Sequence, residues 1–198
     1  MFGDVVSLFL FAFATSFSPG PNTISSASMG LSFGYKRSFK YLLGIAVGFF
    51  FIMLCCSLLS AIIQQELPRV VPTLSYIGAL YIFYLAYHTL RSGGSLIKGE
   101  ARPLGFVRGF MLQVVNPKVI ILGITVYTTF LAEMPHSWFN LIFSAFGFTI
   151  MSFTAVSTWA RFGSLIGDLM QQERTRKIIN TILALSLCYV AIRMMVQA

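Results

Sequence analysis

Prolines interrupt two stretches of this chain that are otherwise apolar enough to cross a bilayer, and the interruptions constrain the fold more than any other feature. Ser18-Pro19-Gly20-Pro21-Asn22 divides the first stretch, and Asn116-Pro117-Lys118 divides another near the middle. Proline removes a backbone donor and clashes with the carbonyl four residues earlier, so a helix kinks or stops there. In hydrocarbon the released backbone groups need partners, so broken helices occur where protein buries them or where they line a wet cavity. Breaks at corresponding places in two halves of a chain mark the binding site of a secondary transporter.

Composition places both breaks in a membrane. Of 198 residues, 57% are hydrophobic and only 10% are charged, with a mean hydropathy of +0.80. Soluble domains carry about 25% charged residues. A span needs about 20 apolar residues, so the length accommodates about six spans and no soluble domain. The predicted spans cover about 5–29, 41–63, 70–90, 106–131, 138–160 and 178–196. Tyr35-Lys36-Arg37 forms a basic turn, 64–69 a polar break, and 161–177 a polar loop. The fold class is thus an all-α polytopic membrane protein with one transporter domain, 1–198.

A net charge of +8 does not mark a nucleic-acid binder here, because the basic residues sit at span ends. Eleven of the fourteen lie after the first, third and fifth spans, from Lys36 to Lys177, and only Arg69 and Arg193 lie on the other side. The Lys/Arg-rich side is cytoplasmic by the positive-inside rule, so both termini are expected outside. A linker at 91–105 separates halves 1–90 and 106–198. Each half has three spans, and the first of each is the broken one. An odd number of spans gives two like-folded halves opposite topologies, so the expected architecture is a pair of inverted three-helix repeats.

Lys118 is the one basic residue deep inside a predicted span, since Arg108 and Arg193 lie near span ends. It lies about a dozen residues beyond Phe106, or roughly 18 Å at a helical rise of about 1.5 Å per residue. A charge at that depth costs about 2.5–3.5 kcal/mol and marks a functional site by default. Lys118 is expected to hold a substrate carboxylate. A buried lysine can also release its proton reversibly, and no carboxylate lies in mid-span, so Lys118 is the expected proton-coupling residue. Its structural alternative is to cap carbonyls released by Pro117. Pro19, Gly20 and Pro21 unwind the first span, and a helix restarting near Pro21 would aim its positive end at a carboxylate. Asn22, Gln113 and Asn116 either bind the amino group of a zwitterion or cap broken backbone.

Other classes find less support. Cys55, Cys56 and Cys188 form neither a CxxC pair nor a metal-ligand spacing, and no cofactor is expected. A membrane dithiol carrier would need Cys55 or Cys56 to meet Cys188. An intramembrane enzyme would need paired acids or a histidine base in the bilayer, whereas both histidines and all six acids lie at span ends or in loops. Gly44 and Gly48 form a GxxxG motif, which lets helices approach closely within the fold or across a homodimer.

Ser-Pro-Gly-Pro-Asn at 18–22, Gly34-Tyr35-Lys36-Arg37-Ser38 and the segment from Gly105 to Lys118 together resemble the LysE/RhtB amino-acid exporter family. Gly44 to Gly48 and Tyr76 to Tyr81 extend the likeness over nearly the whole chain. Within the family, Leu112-Gln113 to Asn116, Gly123 to Phe130 and Leu183 to Arg193 are most similar to the branch that exports cysteine and O-acetylserine. Homoserine/threonine exporters are the alternative. The resemblance implies proton-driven efflux of a small neutral amino acid across a bacterial inner membrane.

Overall fold

The computed structural model describes residues 2–92, 103–135, 137–169 and 173–196. Among these the chain is helical throughout, with no strand: α1 (Phe2–Phe17), α2 (Pro21–Ser92), α3 (Phe106–Val114), α4 (Pro117–Thr125), a π-helical turn (Val126–Phe130), α5 (Trp138–Leu169) and α6 (Glu173–Val196). The expected linker at 91–105 falls largely on 93–102, outside the described residues.

Helix α2 would be about 108 Å long if straight, at about 1.5 Å per residue. It is not straight. Gly34 has φ 75°, a left-handed conformation that glycine adopts without steric cost. Tyr41 donates from its hydroxyl to Ser25 Oγ at 2.9 Å. Sixteen residues of straight helix would separate these two by about 24 Å, so 21–33 and 35–58 fold against each other as a hairpin. Likewise Ser28 Oγ donates to Thr89 Oγ1 at 3.2 Å. The chain therefore returns between 58 and 76, and 76–92 packs beside 21–33. This return lies where the sequence predicts a polar break at 64–69, yet the helical backbone pattern runs through it. The expected loop at 161–177 is also mostly helix, since α5 continues to Leu169 and α6 begins at Glu173.

Among the described residues, two segments are long and apolar enough to cross a membrane by length and composition, Pro21–Leu58 and Trp138–Gly167. The pair Phe106–Val114 and Pro117–Phe130, bent by 59°, makes a third if counted as one span. The bend follows from the local sequence. Pro117 occupies the first turn of α4, where its missing donor costs nothing. Asn116 Oδ1 caps that helix by accepting from the Lys118 backbone N–H at 3.1 Å.

Glycines set the tightest helix contacts. A Cβ on Gly30 would lie 1.9 Å from the Ala160 carbonyl oxygen, and one on Gly163 would lie 2.1 Å from that of Ala27. A Cβ on Gly44 would meet the Phe106 carbonyl oxygen at 2.0 Å, and one on Gly109 that of Tyr41 at 2.2 Å. Residues 21–33 thus lie against α5, and α3 lies against 35–58, at backbone distance. Gly44 and Gly48 both face α3. They are occupied inside the fold and offer no face for a homodimer.

The hydrophobic core has two parts. One joins Met29, Tyr41, Ile45, Ile82 and Leu85 with Leu187. The other joins Phe49, Met53, Cys56, Leu122 and Tyr127 with Ala145. Cys56 belongs to the second and Cys188 packs on the first, and all three thiols are free. Nothing in this arrangement supports a dithiol relay.

Candidate functional site

The two breaks meet. Asn22 and Gln113 form a reciprocal amide pair, with Asn22 Nδ2 donating to Gln113 Oε1 and Gln113 Nε2 donating to Asn22 Oδ1, each at 3.1 Å. Asn116 Nδ2 donates to the same Asn22 oxygen at 3.0 Å. Residues 91 and 94 apart in sequence are therefore tied side chain to side chain. Gln113 and Asn116 are buried. The three amides bond to one another, and Asn116 also caps α4.

The first break is closed by its own hydroxyls and by groups from outside it. Ser18 N–H donates to the Ala14 carbonyl, and Ser18 Oγ donates to that of Thr15 at 2.9 Å. Trp159 Nε1, from α5, donates to the Phe17 carbonyl at 3.2 Å. Thr23 Oγ1 accepts from the Gly20 N–H at 2.9 Å, with the Ser18 and Gly20 carbonyls in reach of its own hydrogen. Helix α2 restarts at Pro21, as the sequence predicts.

Lys118 crosses from the second break to the first. Its Nζ donates to Ser18 Oγ at 2.7 Å and to the Ser18 carbonyl at 3.3 Å. The sequence alternative had it capping carbonyls released by Pro117. It caps instead the Ser18 carbonyl at the first break, a hundred residues away. Gly20 leaves room for this, since a Cβ there would lie 3.2 Å from Nζ.

Two adjoining spaces surround Lys118. The smaller, lined by Thr15, Ser18, Asn22, Asn116, Lys118 and Ser152 among others, holds about 30 Å³, roughly the share of one water molecule in the liquid. The larger holds about 680 Å³, within the range of roughly 300–1,000 Å³ typical of small-molecule sites. Pro19, Gly20, Pro21, Asn116, Pro117 and Lys118 line it on the side of the breaks. Phe11, Ile121, Leu122, Tyr189, Val190 and Arg193 also line it. Seven of the eight predicted site residues therefore border one or both spaces, and Gln113 supports them from behind. Ser18, Thr23 and Trp159, which complete the first break, were not singled out as site residues. Only their placement against the breaks reveals them.

The start of α2 and the start of α4 border the same cleft, beside one ammonium group. Helix N-termini carry partial positive charge and unpaired N–H groups. Together with Lys118 they make a site suited to a small anion or to the carboxylate of a zwitterion.

Comparison with known proteins agrees with this architecture. The model of the LysE type translocator family matches residues 13–198. A cysteine/O-acetylserine efflux protein of Salmonella paratyphi A is 32% identical over 181 residues, covering 90% of this chain and 91% of that protein. Those of Escherichia coli K12 and Shigella flexneri are also 32% identical, each over 179 residues with the same coverage. No solved structure matches. A family match over nearly the whole chain, together with relatives at this identity and coverage, shows that the chain belongs to the LysE-type translocators, a family of multi-pass membrane transporters of amino acids.

Proposed function

We propose that this protein exports a small neutral amino acid of the cysteine/O-acetylserine kind from the bacterial cytoplasm, and that the substrate binds where the two helix breaks meet. One observation carries the reading. The N-termini of α2 and α4 and the Lys118 ammonium border one cleft large enough for an amino acid. The names of the relatives supply the substrate class.

The hydrogen bonds imply a sequence of exchanges. Lys118 turns from Ser18 to the substrate carboxylate, which the two helix ends also attract. The Ser18 carbonyl, relieved of its donor, then accepts from the substrate ammonium. Pro19, Gly20, Pro21 and Pro117 keep the backbone open. Asn22, Gln113 and Asn116 hold the breaks in register while the substrate is bound. Lys118 is the residue we assign to proton coupling, releasing its proton as the carboxylate leaves.

We read the basic end of the molecule as cytoplasmic, with both termini outside, and the halves 1–90 and 106–198 as inverted repeats joined by the linker at 91–105. The packing supports the repeat: 21–33, from the first broken span, lies on α5, and α3, from the second, lies on 35–58. The first helix of each half thus pairs with the second helix of the other. One half rocking against the other would carry the site between the two faces.

The test is amino-acid release from cells expressing the wild type or Lys118→Met at equal membrane abundance. Cysteine, O-acetylserine, threonine and homoserine are measured together. Wild-type cells are expected to release cysteine or O-acetylserine above control, and Lys118→Met cells to lose most of that excess. Equal release by both would remove Lys118 from the mechanism, and no release by either would remove the exporter reading.

A further inference from the structure

The cleft at the breaks has a second cation that the exchange at Lys118 does not use. Arg193 lies in the last turn of α6 and lines the same space as Lys118, next to Tyr189 and Val190. Phe11, Ile121 and Leu122 add apolar lining, and among the described residues no acidic side chain borders the cleft. Two cations and no acid in a cavity with low-dielectric walls concentrate anions there.

The two cations suit different tasks. Lysine can exchange its proton, whereas a guanidinium stays charged at any working pH and offers a planar fork that matches a carboxylate with two bonds. The C-terminal end of α6 adds partial negative charge that favours a cation at this position. The cleft, at about 680 Å³, extends beyond the breaks to Arg193.

Resting on the exporter reading above, we propose that Arg193 forms a second carboxylate subsite at the outer part of the cleft. It receives the substrate carboxylate after Lys118 releases it and so lowers the cost of leaving a desolvated site. Two cationic stations along one exit path replace a single deep well that the substrate would leave slowly.

The experiment reads this subsite from outside. Cells preloaded with labelled cysteine are followed for efflux while unlabelled cysteine, kept reduced, is added to the medium. External cysteine occupies the outer subsite and slows efflux. Arg193→Gln is expected to raise the half-inhibiting concentration at least tenfold, and Arg193→Lys to restore part of the difference. Cysteinamide, which lacks the carboxylate, should inhibit weakly and equally in wild type and Arg193→Gln. Three outcomes overturn the proposal. The half-inhibiting concentration is unchanged in Arg193→Gln while efflux continues, as for an arginine that only anchors the helix at lipid phosphates. Cysteine and cysteinamide inhibition shift together, as for a packing role. Arg193→Lys behaves no better than Arg193→Gln at equal membrane abundance. Failure of the wild type to release any amino acid instead overturns the exporter reading, and this subsite with it.

Discussion

Residues 5–17 and 23–33 flank the same three-residue break, yet their surroundings are opposite. In the first stretch only Ala12 is buried, whereas every residue of the second is buried. The side chains explain the contrast. The first stretch is rich in large apolar groups, and Val5, Phe9, Leu10 and Phe13 are exposed where lipid would meet them. The second reads Thr-Ile-Ser-Ser-Ala-Ser-Met-Gly-Leu-Ser-Phe, mostly small residues and hydroxyls. Without a hydrophobic drive between helices in lipid, association rests on close backbone approach and interhelical hydrogen bonds, which small and hydroxyl residues supply. Gly30 lies on Ala160 at backbone distance. Ser28 bonds Thr89 and Asn180, and Asn180 Nδ2 donates to Ser32 Oγ at 3.1 Å. The large cleft opens on the α1 side of the break, and the dense packing lies on the side that carries Lys36, Arg37 and Arg161. On the orientation proposed above, this would be the arrangement of an exporter open outward and closed inward.

Substitutions along this first broken segment would break or sharpen that contrast. The largest effect is expected for Gly30→Leu. Its Cβ alone would fall 1.9 Å from the Ala160 carbonyl oxygen, so 21–33 and α5 would have to separate. Overpacking costs about 1–3 kcal/mol or more, and most of the folded protein should be lost from the membrane. Wild-type abundance and monodispersity in detergent would show that the helices are not closely packed there. Asn22→Ala comes next. It removes both partners of Gln113 and the Nδ2 partner of Asn116, leaving buried amide groups unsatisfied at about 1–3 kcal/mol. Thermal unfolding in detergent should fall accordingly. A double variant with Gln113→Ala should cost less than the sum of the two single changes. The smallest effect is expected for Phe9→Ala, at an exposed position of α1, where a shift within about 0.5 kcal/mol is normal for a surface site. A large loss there would mean that α1 is packed against protein, and the comparison with 23–33 would fail.

The sequence made both breaks legible because proline and glycine act locally. Pro21 and Pro117 each take the first position of a helix, where the fixed φ suits the turn and the missing N–H costs nothing, and Asn116 caps α4 through a bond that spans two residues. The depth of Lys118 was equally plain, since it follows from counting along an apolar run. Loop positions were less so. The polar stretch 161–177 is mostly helix because hydropathy marks where a chain leaves lipid rather than where a helix ends, and Gly163 and Gly167 are held by packing on Ala27 and Leu31. The fold-back at Gly34 adjoins the basic turn that the sequence marks at Tyr35-Lys36-Arg37, while the positive φ that makes it leaves no periodicity to detect.

What the sequence determined alone is a membrane-embedded, all-helical chain with two proline-broken segments, a lysine deep in an apolar run and a strong bias of basic residues to one side. Each of these depends on residue type and near neighbours. The tertiary structure decided which groups meet. Asn22 pairs with Gln113 and Asn116, Lys118 caps the carbonyl of Ser18 rather than one in its own segment, and Arg193 shares the cleft with Lys118. Those pairings join residues about 75 to 100 apart in sequence. They depend on how the helices cross: Gly44 and Gly48 mark a close approach in the sequence, but not that α3 is the helix that approaches.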